Sequence, residues 1–167
     1  MRCIADASSR PATGPLVSEP PAVTLRGFRP TDLTQIIPIV EEALWERYDP
    51  SLYSSLSLEW PEGFLVAADV RDLPVGFLLG VSQVTREGRV LMFAVERDHR
   101  AQGVGSALME EFLTRCRARG FQRATLEVRV SNATAIRFYA RYGYSVVDLL
   151  RGYYSDGENG YQMARSL

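Results

Sequence analysis

The first folded segment of the chain is marked by a change from alternating to helical spacing of apolar residues. Residues Val23–Arg29 alternate apolar and polar side chains, which predicts a short strand. From residue 33 to residue 45 the apolar positions recur at helical spacing, and Thr31 or Asp32 stands where an N-cap is expected. Pro38 lies inside this pattern and should kink or divide the helix. The pattern therefore predicts a strand followed by a helix.

Three apolar runs follow, separated by polar segments. They are Gly63–Val70, Val75–Val84 and Arg89–Val95, and each has the length and composition of a strand. Because the turns between them are short, the three runs predict an antiparallel meander. The segment before this meander, Tyr48–Trp60, is interpreted as a loop or a short helix.

The second half of the chain alternates helical and extended patterns. Helices are predicted at Val104–Arg119, ended by Gly120, and from the cap residue Asn132 to Tyr142. The predicted strands are Ala124–Val130, Tyr144–Leu150 and Gly160–Arg165. The order β-α-β-β-β-α-β-α-β-β is typical of an α+β (mixed α/β) fold, in which helices cover both faces of one central sheet.

Residues 1–22 differ in character from the rest of the chain. They are rich in proline, serine and alanine, and they lack the basic region and apolar run of a secretory signal. We interpret them as a flexible tail, with a segment that packs on the domain or covers a site as the alternative. The chain has 167 residues, so residues 23–167 predict a single domain.

Charge and composition narrow the possible functions. The formal net charge is −1, which argues against a nucleic-acid partner held by a strong positive field. No stretch approaches 18 consecutive apolar residues, so we expect no membrane partner and a cytoplasmic location. Two cysteines, Cys3 and Cys116, and a single histidine, His99, give no metal-ligand spacing, and we expect no metal. All 19 basic residues are arginine, which excludes lysine Schiff-base chemistry and a Walker A loop.

The most informative segment connects the Arg89–Val95 strand to the following helix. It is R-A-Q-G-V-G at residues 100–105. Glycines at a helix start leave the first backbone N–H groups open to an anion, and Arg100 adds a fork of donors. The alternative is a tight turn in which Gly103 and Gly105 serve backbone geometry alone. A dinucleotide-binding fingerprint is rejected, because its third small residue falls on Leu108.

These residues resemble a known superfamily. The R-x-x-G-x-G segment, after a strand that ends at Val95, resembles the acetyl-CoA pyrophosphate loop of GNAT N-acetyltransferases. Residues 126–139, LEVRVSNATAIRFY, and residues 153–161, YYSDGENGY, are similar to signatures of protein N-terminal acetyltransferases, both ribosomal-protein-directed and archaeal/eukaryotic. The second signature departs from the family where Gly160 replaces an alanine. The E-x-Y of archaeal and eukaryotic members matches residues 46–48, and the resemblance spans residues 23–167.

The resemblance implies the GNAT fold, with a mixed, mostly antiparallel sheet, and acetyl-CoA as the co-substrate. By resemblance, the backbone of the strand leading into the loop holds the acetyl and pantetheine ends. The implied coenzyme-binding residues are Phe93, Ala94, Val95, Arg100, Gln102, Gly103, Val104, Gly105, Ser106, Asn132 and Tyr139. The substrate N-terminus is expected to contact Glu46, Tyr48, Tyr153 and Tyr154. The alternative for the last two is ordinary strand packing.

Three residues are candidates for proton transfer. Glu127 is the expected general base, on the strand face that also carries Thr125 and Arg129; alternatively, it is a strand-face carboxylate paired with an arginine. By resemblance, Tyr139 is the general acid beside the coenzyme sulfur, and its alternative is a core aromatic. Glu46 is a second carboxylate that could bind the incoming ammonium; alternatively, it is a solvent-exposed residue at the end of a helix.

The sequence therefore indicates an enzyme that transfers acetyl from acetyl-CoA to the α-amine of protein N-termini. The transfer is expected to be direct, within a ternary complex, because no activated cysteine stands among the motifs. Two alternatives remain open: an acetyltransferase for small amines, and a non-catalytic acyl-CoA-binding regulator. The preferred substrate residue, the need for the ribosome or an auxiliary subunit, and the oligomeric state are not fixed by the sequence.

Overall fold

The fold is one mixed sheet with helices on both sides, seen here in a computed structural model that describes residues 22–44 and 49–167. The strands are β1 Thr24–Gly27, β2 Phe64–Ala68, β3 Pro74–Gln83, β4 Glu87–Val95, β5 Arg123–Arg129, β6 Ser145–Leu150 and β7 Gly160–Ser166. The helices are α1 Leu33–Leu44, α2 Pro50–Glu59, α3 Val104–Ala118 and α4 Ala133–Arg141.

The sheet has the order β1-β2-β3-β4-β5-β7-β6. Neighbouring strands are antiparallel except for β4 and β5, which run parallel. The predicted meander of β2, β3 and β4 is confirmed, and so is the mixed, mostly antiparallel fold class.

The segment between β1 and β2 confirms the short-helix interpretation of Tyr48–Trp60. It contains a second helix, α2, because Asp49 caps it by accepting a hydrogen bond from the Ser51 N–H at 2.8 Å and Pro50 suits the first helical position. Of the two effects expected of Pro38, a kink or a division of the helix, the division is wrong, since α1 continues from Leu33 to Leu44. Burial of Ile36 and Val40 in the core offsets the hydrogen bond that Pro38 cannot make.

The alternation of side chains along the strands separates two apolar cores. On β2, Phe64 and Val66 belong to the core under α1 and α2, whereas Leu65 and Ala67 belong to the core under α3 and α4. The helices therefore cover both faces of the sheet, as the sequence predicts.

Hydrogen bonding between β4 and β5 covers only the first half of β4. The paired residues run from Glu87 opposite Arg123 to Val90 opposite Leu126. At that point β4 has a bulge at Leu91, which places Leu91 and Met92 in the same core. Beyond it β4 pairs with β3 only, and β5 with β7 only. The two parallel strands thus separate toward their carboxyl ends and leave a cleft in the middle of the sheet.

A buried ion pair fixes the entry to α1. The guanidinium of Arg26 donates to both carboxylate oxygens of Asp32, at 2.8 and 2.9 Å, and the Arg29 N–H donates to Asp32 at 2.7 Å. Arg26 also donates to Asp72 in the β2–β3 turn at 2.7 Å. The Asp32 carboxylate raises the pKa of Arg26 above its usual value. The pair ties the start of α1 to β1 and to the β2–β3 turn.

Candidate active site

Glu127 lies at the mouth of the cleft between β4 and β5. It is the first β5 residue beyond the paired segment, and the residue is 5% exposed. Its neighbours Leu126 and Val128 enter the core under α3 and α4, so Glu127 points to the α1 and α2 side of the sheet. The predicted face of Glu127 is confirmed.

The carboxylate of Glu127 is paired with Arg89 on β4. The Nε and Nη2 atoms of Arg89 lie 2.9 and 2.8 Å from the same oxygen, Oε2. Arg89 stands opposite Thr125 in the parallel ladder, two residues before Glu127, so both side chains lie on one face. The arginine partner foreseen as the alternative role of Glu127 is therefore present, and it comes from the neighbouring strand.

The same arginine reaches the loop between β6 and β7. Nη2 of Arg89 donates to the hydroxyl of Tyr153 at 3.1 Å. Tyr153 is partly exposed, and its ring packs edge-on against Tyr154 with centroids 5.2 Å apart. Tyr154 is 2% exposed and lies under the guanidinium of Arg129, at 4.2 Å from ring centroid to Cζ. Of the two predicted substrate residues in this loop, Tyr153 faces the cleft side, whereas the packing alternative describes Tyr154 better.

The rest of this loop is clamped to the start of α4. Arg129 forms ion pairs with Asp156, at 2.8 Å, and with Glu158. The Glu158 carboxylate also accepts hydrogen bonds from the N–H and the hydroxyl of Ser131. The Ser131 hydroxyl, and after it the Arg129 guanidinium, holds the pKa of Glu158 below its usual value. The D-G-E part of the sequence signature thus fixes the loop against β5.

Tyr139 lies on the opposite side of the sheet from Glu127. It is fully buried in the core under α3 and α4, with its ring 5.9 Å from that of Tyr144. The preceding residue, Phe138, packs against Phe93 of β4 with centroids 5.8 Å apart. This contact brings α4, which follows β5 in the chain, against β4 and across the cleft. Tyr139 therefore packs in the core, on the helix that closes the cleft.

The loop before α3 has the geometry of an anion cradle. Gly103, the residue before the helix, has φ of +84°, a conformation that glycine adopts without strain. It has no side chain to cap the helix, so the first N–H groups of α3 point outward from the helix end. The Arg100 Nε donates to the Val95 carbonyl at 2.8 Å, and the Gln102 amide donates to the Asp98 carbonyl at 2.6 Å. The first bond fixes the loop against the end of β4, and the second closes a turn within the loop.

Gly105 has a different role from Gly103. A Cβ at Gly105 would lie 3.4 Å from the ring of Phe93 and 3.9 Å from that of Phe138. Its missing side chain therefore faces β4 and α4 rather than the outer end of the helix. For this glycine the geometry favours the alternative, close packing of the backbone.

The remaining predicted residues are placed as follows. Asn132 caps α4 by accepting a hydrogen bond from the Ala135 N–H at 3.0 Å, as expected. Phe93, Ala94 and Val104 are buried beside the cradle, and Ser106 is in the first turn of α3. Glu46 and Tyr48 lie outside the described residues.

Sequence reasoning missed two arginines of this site. Arg89 was only the first residue of a predicted strand, although its alternation with Val90 places it on a polar face. The alternation of β5 places Arg129 on the same face as Glu127, but the sequence does not indicate its ion-pair partners, Asp156 and Glu158. The missing information is long-range: the pairing of β4 with β5 for Arg89, and the packing of the β6–β7 loop against β5 for Arg129.

Three further observations concern the reactivity of Cys116, metal ligands and membrane-spanning helices. Burial raises the pKa of the Cys116 thiol to about 12, so this cysteine is not a thiolate near neutral pH. Within residues 22–44 and 49–167, no group of three His, Cys, Asp or Glu side chains is arranged to hold a metal ion. Over the same ranges, no helix is both long enough and apolar enough to cross a membrane.

Comparison with known proteins identifies the family. The model of the acetyltransferase (GNAT) family matches residues 31–144. The chain therefore belongs to the GNAT acetyltransferase family, in agreement with the cleft, the cradle and the strand order described above.

Individual relatives show which kinds of acetyltransferase the chain is similar to. An N-alpha-acetyltransferase of Sulfurisphaera tokodaii is 34% identical over 155 residues, covering 86% of this chain and 92% of the relative. The crystal structure of Ard1 from Thermoplasma volcanium is 42% identical with a TM-score of 0.83, covering 87% of this chain and 98% of that one. The ribosomal-protein-S18-alanine N-acetyltransferase from Escherichia coli is 27% identical with a TM-score of 0.75, covering 86% of this chain and 93% of that one.

Proposed function

We propose that the protein transfers the acetyl group of acetyl-CoA to the α-amine of protein N-termini. The observation that carries the proposal is the buried Glu127 carboxylate at the mouth of the β4–β5 cleft, bordered by Tyr153. The similarity to an N-alpha-acetyltransferase over most of both chains supports the same reaction.

The acetyl-CoA side of the site is the α3 and α4 face. The positive φ of Gly103 and the uncapped N-terminus of α3 suit a pyrophosphate group, which needs several N–H donors and a positive helix end. The separated end of β4 offers backbone groups to an extended pantetheine arm, because β5 does not pair with it there. When bound, the coenzyme supplies an activated acetyl thioester. We assign its binding to Phe93, Ala94, Val95, Arg100, Gln102, Gly103, Val104, Gly105, Ser106 and Asn132.

The substrate side of the site is the α1 and α2 face. Tyr153 and the carboxylate of Glu127 are both on this side, next to the cleft. A peptide N-terminus is an ammonium group on an extended chain, and the pair offers it one negative charge and an aromatic wall. We assign Glu46 and Tyr48, in the segment between α1 and α2, to the same substrate surface.

The chemistry follows from the two sides of the cleft. The α-ammonium of a peptide has a pKa of about 8. Near neutral pH its deprotonation is therefore only slightly unfavourable, and a general base has only a small free-energy difference to overcome. Glu127 accepts this proton, directly or through a water molecule, and the amine nitrogen then forms its bond to the acetyl carbon. As the carbon–sulfur bond breaks, the hydroxyl of Tyr139 would give a proton to the departing sulfur. The second proton that the nitrogen loses as the amide forms would restore this hydroxyl, so that the net proton released is the one on Glu127. The acetyl group passes directly to the amine, with no covalent enzyme intermediate.

A panel of acceptors tests this function. The protein is incubated with acetyl-CoA and, in separate reactions, short peptides with different first residues, a polyamine and an aminoglycoside, and the products are weighed by mass spectrometry. We expect acetylated peptides. Acetylation of the small amines alone would establish a small-molecule enzyme, and coenzyme binding without any product would establish a non-catalytic regulator.

Two additions to the panel address partners. Parallel reactions receive ribosomes or a cytoplasmic extract, since we propose that the substrates are proteins of the cytoplasm. A rate that rises only with these additions would show that the ribosome or an auxiliary subunit is needed.

A further inference from the structure

We propose that Arg89 is a positioning residue for the acetyl transfer: it orients the carboxylate of Glu127 and couples it to Tyr153 on the substrate side. The proposal rests on the function proposed above, since it assigns Arg89 a task in that reaction.

The first argument is the geometry of the pair. Both hydrogen bonds from Arg89 converge on Oε2 of Glu127. A planar guanidinium that holds one oxygen through two nitrogens fixes the rotation of the carboxylate. The other oxygen, Oε1, is thereby held in one direction, away from the guanidinium. An oriented oxygen suits a group that must take a proton from a substrate in one geometry.

The second argument is electrostatic. A carboxylate on a residue that is 5% exposed loses most of its hydration, and a paired cation offsets that cost. Arg89 faces Glu127 from β4 and Tyr153 faces the same guanidinium from the β6–β7 loop. Gln162 stands opposite Glu127 on β7.

The other two charged residues on this face of β5, Arg123 and Arg129, are already engaged. Arg123 pairs with Glu87 on β4. Arg129, two residues beyond Glu127, is paired with Asp156 and Glu158. Arg89 is therefore the cation that pairs with the Glu127 carboxylate.

The third argument is the link to the substrate side. Nη2 of Arg89 contacts Oε2 of Glu127 and the hydroxyl of Tyr153 at the same time. This one nitrogen therefore couples the position of the Tyr153 ring, on the peptide side, to the position of the Glu127 carboxylate. A purely structural ion pair between β4 and β5 would need no such third partner.

The same two strands offer a matched control. Glu87 on β4 and Arg123 on β5 form an ion pair at 2.9 Å at the opposite end of the ladder, away from the cleft. This pair joins the same strands but touches neither Glu127 nor the β6–β7 loop. Arg123→Met therefore removes a cross-strand pair without altering the proposed site.

The test compares Arg89→Met, Arg89→Lys, Tyr153→Phe and Arg123→Met with the wild type, using acetyl-CoA and a peptide acceptor. For Arg89→Met we expect kcat/KM for the peptide to fall at least about tenfold at neutral pH. The acid limb of the pH profile is the low-pH side, where kcat/KM for the peptide falls. In Arg89→Met it should move to higher pH by about one unit or more, because a buried carboxylate without its cation takes up a proton more readily. The KM for acetyl-CoA should stay within about twofold.

The remaining variants refine the expectation. Arg89→Lys keeps the charge but not the planar fork, so it should restore the acid limb while recovering only part of kcat. Tyr153→Phe should lower kcat/KM for the peptide without moving the acid limb. Arg123→Met should match the wild type in both respects. Carbon-13 NMR of the labelled Glu127 carboxyl group gives its titration midpoint in each variant, independent of turnover.

The outcomes separate the two proposals. Circular dichroism shows whether Arg89→Met is folded. If the folded variant behaves as Arg123→Met does, in both the pH profile of kcat/KM and the NMR titration, the positioning role is wrong. If Arg89→Met does not fold, Arg89→Lys tests the positioning role instead. In that case the role is wrong if Arg89→Lys has the same acid limb and the same kcat as the wild type. If the wild type itself acetylates no peptide, the proposed function fails, and the NMR titration alone decides whether Arg89 controls the ionisation of Glu127.

Discussion

The side chains of Glu127 and Tyr139 lie on opposite faces of the sheet, although twelve residues of one strand–helix unit separate them. Glu127 projects from β5 toward α1 and α2, and Tyr139 is buried with α4 under the other face. The cleft between β4 and β5 is the passage between these two faces. A base on one side and an acid on the other can therefore act on the two ends of one acyl transfer.

The first prediction concerns the base. Glu127→Gln keeps the shape of the side chain and its acceptor for Arg89, but it cannot take up a proton near neutrality. We expect kcat/KM for a peptide to fall by ~10²–10⁴ at pH 7, with partial recovery at higher pH as the amine loses its proton unaided. Steady-state rates from pH 6 to pH 10 measure both effects.

The control for this prediction is Glu46→Gln. If Glu127→Gln is close to the wild type and Glu46→Gln is inactive, the base is Glu46. If both variants keep full activity, the enzyme works by positioning alone and the general-base role is wrong.

The second prediction concerns the acid. Tyr139→Phe removes one hydroxyl and keeps the aromatic packing against Tyr144, so the fold should be retained. We expect kcat to fall at least about tenfold with little change in the Kd for acetyl-CoA, measured by calorimetry. Tyr144→Phe is the matched control, since its hydroxyl lies 3.9 Å from the Met109 sulfur under α3. Equal kinetics for the two variants would remove Tyr139 from the chemistry.

The third prediction separates the two glycines of the cradle. Gly103→Ala forces a Cβ into a φ of +84°, which strains the start of α3 and displaces the N–H groups there. We expect at least about tenfold weaker acetyl-CoA binding. Gly105→Ala adds a Cβ in ordinary contact with Phe93, so it should bind acetyl-CoA within about threefold of the wild type. The reverse ranking would show that the anion site has been assigned to the wrong backbone groups.

The fourth prediction is a pH dependence of stability from Glu158. Its pKa is lower in the folded protein than the usual 4.5, so its contribution to stability is present above that pH. The contribution is lost as the pH falls from about 4.5 through the folded value. Urea unfolding of wild type and Glu158→Gln should show a constant difference from pH 5 to pH 7 that shrinks below pH 4.5. Glu62→Gln, in an exposed turn, should show no such change, and a constant difference for Glu158→Gln at all pH values would contradict the role of the clamp.

Local patterns predict most elements of this fold, because their periodicity is a property of short segments. The strand faces of Glu127 and Leu126 and the cap at Asn132 follow from alternation and local hydrogen bonding. Helix α2 was harder to predict, because only Tyr53 of its residues is buried and its apolar positions follow no clear stripe.

The site itself depends on contacts between distant segments. The bulge at Leu91 and the end of the β4–β5 ladder open the cleft, and neither has a local signal in the sequence. The pair of Arg89 and Glu127 spans 38 residues and the bond from Arg89 to Tyr153 spans 64. Resemblance to a family supplied the residues of the site, whereas the structure supplied the partners that hold them.

The most direct test of the account is the position of the acetyl group on one peptide. The peptide carries a free α-amine and an internal lysine, and it is incubated with the protein and acetyl-CoA before fragmentation by tandem mass spectrometry. The account predicts one added acetyl group, carried by the fragments that contain the first residue, with the lysine unmodified. Acetylation of the lysine side chain with a free N-terminus, or an unmodified peptide beside an acetylated small amine, would contradict it.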